Sequence, residues 1–117
     1  MLLISNALLR VDIIELKKTN IKSICIVTGT RAEYGILHRL IELIEQSDFD
    51  LKLVVTGTHL SEKHGSTVNE IINDGHIIDS RIDILFEGDN ELEIGLSLAK
   101  AVEKFTYYFT KAKPDLV

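Results

Sequence analysis

Arg31 and Glu33 stand directly behind a Thr28-Gly29-Thr30 turn, and His59 stands directly behind a second such turn, Thr56-Gly57-Thr58. A guanidinium at a helix start, beside backbone N–H groups with no intrahelical partner, suits a phosphate or a carboxylate. Arg31 equally reads as a surface cation balancing Glu33. Glu33, in the first helical turn, complements the helix dipole as it stands; in a site it would bind sugar hydroxyls or serve proton transfer. His59 offers a neutral imidazole as acid, base or hydrogen-bond donor, although single histidines are more often structural. It gains weight because both turns are expected to open at the same edge of a sheet, which would join the three side chains in one polar site.

The other histidines have weaker claims. His38 falls on a helix near its exposed side, His64 lies in a polar loop and His76 follows a helix-ending glycine. No pair has the spacing of a helical zinc site, so no metal is expected. Neither turn ends in the Gly-Lys-Ser/Thr of a phosphate-gripping loop and neither reads Gly-x-Gly-x-x-Gly, so no nicotinamide dinucleotide is expected.

The elements that must position these groups follow from the apolar pattern. Ile21 to Val27 reads as a buried strand, and a helix after Ala32 carries Ile36, Leu37, Leu40, Ile41 and Ile44 on one face. Leu51 to Val55 is the second strand, followed by a loop from Thr56 to about Ser66. A short helix comes next, with Thr67 and Glu70 at capping-box spacing and Val68, Ile71 and Ile72 apolar. Gly75 supplies its left-handed stop. Ile77-Ile78 and Arg81 to Phe86 are strand-like, and Glu87 to Asn90 turns the chain. A long helix from about Glu91 to Lys111 follows, with Leu92, Leu96, Ala99, Val102, Phe105 and Phe109 as its buried stripe; Pro114 marks its end. Asp115-Leu116-Val117 opens a further strand. Strand and helix alternating three times predict right-handed βαβ units, a Rossmann-like parallel sheet with flanking helices. Residues 1–20 do not share this rhythm and read as an appended segment, in which Leu9, Ile13 and Leu16 have the spacing of a surface helix while Val11, Ile13 and Glu15 would also read as a strand face; residues 21–117 are expected to be a partial domain, cut before its fourth strand.

Length and composition set outer limits. With 117 residues, 45% apolar and 26% charged, the chain has material for one core. Thirteen basic residues against eighteen acidic ones give −5, and the basic ones are scattered, so no nucleic-acid partner is expected. Cys25 is the one cysteine, sits in the first apolar run and reads as a small buried hydrophobe in a reducing, cytoplasmic setting. The apolar N-terminus is broken by Arg10, Asp12 and Glu15, which argues against a signal peptide, and no stretch reaches bilayer-spanning length.

From Lys22 to Val117 the chain resembles the N-terminal part of the hydrolysing UDP-N-acetylglucosamine 2-epimerases, the branch that feeds sialic and related nonulosonic acid synthesis. The residues that carry the resemblance are 27–35 (Val-Thr-Gly-Thr-Arg-Ala-Glu-Tyr-Gly), 54–60 (Val-Val-Thr-Gly-Thr-His-Leu), Gly65-Ser66-Thr67, Ser97 and 113–117 (Lys-Pro-Asp-Leu-Val). The first two are specific in combination and order. The resemblance implies two Rossmann-like domains in the GT-B arrangement with the active site between them, a UDP-sugar substrate, no cofactor and a homo-oligomer at full length. It implies that Arg31 contacts substrate, with Gly29, Thr30, Thr58 and Ser97 at the binding surface, and that Glu33 and His59 are the catalytic candidates at the sugar end. Two positions depart from the pattern: His64 replaces a usual aromatic and Ser66 a usual Asn. The family's Gly-Asp-Arg motif is expected just past Val117, and with it and the second domain absent the chain is expected to be catalytically silent.

Three other readings compete. The non-hydrolysing epimerases typically have Pro where Ala32 stands and a later lysine that this chain lacks. Enzymes for UDP-2,4-diacetamido-2,4,6-trideoxyglucose share this half of the pattern. A noncatalytic interaction module of flavodoxin-like shape predicts a complete sheet instead.

Overall fold

The computed structural model describes residues 6–85, 88 and 90–117. The elements are α1 (Asn6–Lys17), β1 (Ser23–Thr28), α2 (Arg31–Glu45), β2 (Asp50–Thr56), α3 (Val68–Asn73), β3 (Ser80–Ile82) and α4 (Glu91–Ala112), with two short 3-10 turns at Gly57–Leu60 and Glu62–His64. No helix among the described residues is long and apolar enough to cross a membrane.

β1, β2 and β3 form a parallel sheet in that order, Thr28 lying opposite Val55 in register. Parallel strands buried on both faces read as continuous apolar runs, and alternate residues go to opposite sides. Ile24, Ile26, Leu53 and Val55 face one cluster with Tyr34, Ile41, Leu43 and Ile44 of α2, Val68 and Ile71 of α3 and Ile13 of α1. Cys25, Val54 and Ile82 face the other, covered by Phe105, Tyr108 and Phe109 of α4. Fully burying side chains such as Leu53 or Ile41 contributes roughly 1.5–3 kcal/mol each. Leu116 forms a parallel bridge with Ile24, and the Cys25 N–H donates to the Leu116 carbonyl at 2.8 Å. The Asp115 carboxylate caps this junction by accepting from the Lys22 and Ser23 N–H groups at 2.8 and 2.9 Å. The chain therefore re-enters the sheet beside β1, where the sequence places its further strand. Above that bridge a groove of about 380 Å³ runs between β1 and α2.

Four expectations need correction. Ile36 is 60% exposed. Tyr34 sets the phase of α2, and a residue two positions on lies about 200° round the helix, on its outer side. The α4 stripe is half-buried, and only at its C-terminal end: Leu92 is 70% and Val102 62% exposed, because β3 has three residues and offers little sheet beneath the first half of the helix. Of the strand expected through Phe86, only Ser80–Ile82 pairs, Ile77 is exposed, and Phe86, Glu87 and Asp89 lie outside the described residues. The Thr67–Glu70 capping box does not form: Thr67 has helical backbone angles and makes no side-chain cap. α1 packs on α2 through Ile13, which is buried, and Leu16.

Candidate functional site at the carboxyl edge of the sheet

β1 and β2 end side by side on two buried threonines, Thr28 and Thr56. The turns beyond them are joined by one carbonyl. Gly29 O accepts from the Thr58 N–H at 2.9 Å and from the Thr58 hydroxyl at 3.0 Å. Gly57 lies against the same peptide with φ +62°; a Cβ there would come within 2.7 Å of Gly29 O and 3.3 Å of Gly29 Cα. No L side chain fits that approach, which is the physical reason for glycine at this point.

On the first turn, Thr30 caps α2, its hydroxyl accepting from the Glu33 N–H at 3.3 Å. Glu33 reaches back to accept from the Gly29 N–H at 2.8 Å. This is the reciprocal exchange of a capping box shifted by one residue, and the Thr30-x-x-Glu33 spacing that signals it is present in the sequence. Arg31 is 72% exposed at the side chain and donates through Nε to Glu70 Oε2 at 2.9 Å. Its guanidinium thus projects into solvent, steadied from α3.

His59 belongs to the second turn but lies beneath both turns, with 0% exposure. Nε2 lies 3.0 Å from the Thr28 hydroxyl and Nδ1 2.7 Å from the Thr67 hydroxyl. Tyr34 meets the ring edge-on at 6.1 Å. Burial holds the imidazole below its usual pKa, partly offset by the nearby Glu33 carboxylate. Burial, together with the hydrogen bond to Asp74, raises the Tyr34 hydroxyl. Both groups are therefore neutral at neutral pH.

The structure brings Gly29, Thr30, Arg31, Glu33, Thr58 and His59 into these two joined turns. Ser97, on α4, is half-buried, and among the described residues no hydrogen bond ties it to either turn. Sequence reasoning missed what Thr67 and Glu70 do here: their capping-box spacing disguised a hydroxyl for His59 and a carboxylate for Arg31. It also missed Tyr34, whose aromatic ring among aliphatic helix positions was the available signal.

A family model described as UDP-N-acetylglucosamine 2-epimerase matches residues 41–117. Over 98 residues the chain is 36% identical to the UDP-N,N'-diacetylbacillosamine 2-epimerase (hydrolyzing) of Legionella pneumophila, covering 83% of this chain and 26% of that protein. It is 36% identical over 97 residues to the GDP/UDP-N,N'-diacetylbacillosamine 2-epimerase (hydrolyzing) of Campylobacter jejuni, covering 82% and 25%. To the UDP-N-acetylglucosamine 2-epimerase of Neisseria meningitidis it is 31% identical over 98 residues, covering 82% and 25%. The chain spans about a quarter of the length of these relatives.

Proposed function

Because the chain belongs to the UDP-N-acetylglucosamine 2-epimerase family, we propose that it supplies one wall of the substrate cleft of a hydrolysing UDP-sugar 2-epimerase, converting UDP-N-acetylglucosamine to N-acetylmannosamine and UDP. The observation that carries this reading is the joining of the two Thr-Gly-Thr turns through Gly29 O, with an exposed guanidinium and a carboxylate on the same rim.

In the proposed reaction a base removes the C2 proton, the C1–O bond breaks, UDP departs and a 2-acetamidoglucal remains. Water then adds its hydroxyl to C1 while C2 takes a proton from the opposite face, inverting that carbon. Cationic stabilisation of the leaving diphosphate favours the first step and a positioned base serves both. Arg31 orients the substrate at its phosphate or sugar, with Gly29, Thr30 and Thr58 shaping the rim and Ser97 contributing from α4. Glu33 holds sugar hydroxyls or assists proton traffic. His59, with both ring nitrogens on threonine hydroxyls, serves that traffic through them, as a positioning group.

Turnover is proposed to need the remainder of a GT-B-like, two-domain protein, so the 117 residues by themselves are silent. That protein is proposed to be cytoplasmic, to act in sialic or nonulosonic acid synthesis and to be a homo-oligomer. A second substrate is favoured by one observation: the two 36% relatives are named for a diacetamido sugar. UDP-2,4-diacetamido-2,4,6-trideoxyglucose is therefore the alternative.

The test is Arg31→Ala in the full-length gene product, assayed with both nucleotide sugars. Turnover should fall by roughly 10²-fold or more, in line with loss of one charge-stabilising group. Stability should change by no more than about 1 kcal/mol, since Arg31–Glu70 is an exposed pair. Unchanged kcat and KM would remove Arg31 from the site. Release of UDP-N-acetylmannosamine instead of the free sugar would assign the non-hydrolysing reaction.

A further inference from the structure

Behind the turns, in the seam between α2 and the end of α3, three electron-donating atoms converge. His38 Nδ1 lies 3.0 Å from His76 Nε2 and 3.9 Å from Asp74 Oδ2, and all three lie within 4.8 Å of one another. The remaining nitrogen of each imidazole faces a carboxylate of the same helix: His38 Nε2 lies 3.3 Å from Glu42 Oε1, and His76 Nδ1 lies 2.8 Å from Glu45 Oε1.

That pairing sets the tautomer of His76. An ionised carboxylate only accepts, so His76 turns its Nδ1–H to Glu45 and its Nε2 lone pair inward, while Glu42, 3.3 Å from His38 Nε2, also accepts from Arg39 at 2.8 Å. His38 Nδ1 lies 3.0 Å from that lone pair and 3.2 Å from the Tyr34 hydroxyl. Tyr34 Oη brings the one nearby hydroxyl proton, and it lies 2.5 Å from Asp74 Oδ2, to which it donates. Two imidazole nitrogens and a carboxylate oxygen thus face a common point. A cation at that point can accept a lone pair from each.

The dimensions and surroundings fit a small transition ion. Metal–nitrogen and metal–oxygen bonds of about 2.0–2.2 Å place neighbouring tetrahedral ligands about 3.4 Å apart, and the observed 3.0 and 3.9 Å bracket that spacing. Imidazole N–H groups held by carboxylates are the usual outer shell of a zinc ligand set. The left-handed Gly75, φ +88°, turns the chain so that Asp74 and His76 both face α2. His76 is 2% exposed at the side chain, so the cluster is built into the α2–α3 seam.

We propose that His38 Nδ1, His76 Nε2 and Asp74 Oδ2 form a three-ligand site for a divalent transition ion of the Zn²⁺ class, with water in the fourth position, stapling the C-terminal end of α3 to α2. Its place in the fold gives it a structural role. Asp74 is one turn beyond Glu70, which steadies Arg31, so the ion would hold the rim from behind.

The experiment is titration of the untagged chain with Co²⁺ and then Zn²⁺. We expect one ion per chain, the visible ligand-field bands of four-coordinate Co²⁺, and their loss as Zn²⁺ displaces it. His38→Gln/His76→Gln should abolish the bands. Glu45→Gln, which keeps all three ligands, should weaken Zn²⁺ binding about 10–100-fold. His64→Gln, at an exposed histidine bonded to Ser61, should leave it unchanged. Absence of saturable one-to-one binding in the parent, or undiminished binding in the double variant, would overturn the site and leave a shared proton between the imidazoles. If circular dichroism shows the double variant unfolded, equal affinities of Glu45→Gln and His64→Gln would overturn it as well.

Discussion

Gly57→Ala tests the contact on which the rim is built. Three costs add. A non-glycine residue at φ +62° costs about 1–2 kcal/mol. The new methyl would come within 2.7 Å of Gly29 O, a backbone atom directly after β1 rather than a flexible side-chain end, so the turns must separate by several tenths of an ångström. That separation weakens the two Thr58 hydrogen bonds to Gly29 O, worth about 0.5–1.5 kcal/mol each. The sum is about 2–4 kcal/mol. Gly65→Ala is the control: its φ of +86° carries the same backbone cost, but nothing lies within 4 Å of the added Cβ. Urea unfolding followed by circular dichroism should place Gly57→Ala roughly 1 M or more below the parent midpoint, for a slope of about 1–3 kcal/mol per M. Gly65→Ala should lose only the conformational part. If the two variants agree within about 0.5 kcal/mol, the close approach of the turns is wrong, and with it the shared rim.

Three further outcomes follow from the same geometry. Thr67→Val should destabilise the chain by about 1–3 kcal/mol by leaving His59 Nδ1 buried without its hydroxyl, while Thr67→Ser stays near the parent in urea unfolding; equal stabilities would show that the hydroxyl is idle. His59 has a folded pKa below its unfolded value near 6.5, so the unfolded chain binds the extra proton and stability must fall as pH drops below about 6.5. His59→Gln should flatten that part of the pH–stability curve, and an unaltered slope would contradict burial of the ring. Asp115 is held below its usual 3.8 chiefly by the Ser23 and then the Lys22 N–H groups, so its contribution is complete above that value and lost as pH falls through the lower folded one. The gap between parent and Asp115→Asn should therefore close on acidification from pH 5, and a constant gap would refute the carboxylate cap.

The alternation of apolar runs with 3.6-residue patterns determined, before any coordinates, the order of strands and helices, the Gly75 stop and the return of Leu116 to the sheet. The two Thr-Gly-Thr turns identified the edge where polar groups gather and carried the family resemblance. These signals are legible because they are local: a helix phase or a turn is written within a few consecutive residues. The tertiary structure alone decided who meets whom. Thr67 and Glu70 have the spacing of a cap, yet Thr67 serves His59 and Glu70 serves Arg31, 39 residues away in sequence. His38 and His76 have no spacing that marks a ligand pair, yet a left-handed turn and the α2–α3 seam bring them within 3.0 Å across 38 residues. The apolar stripe of α4 reads as buried from its period, but burial requires a surface opposite, and three residues of β3 supply it only at Phe105, Tyr108 and Phe109. Periodicity specifies which face of an element is apolar; the length and register of its neighbours decide how much of that face leaves water.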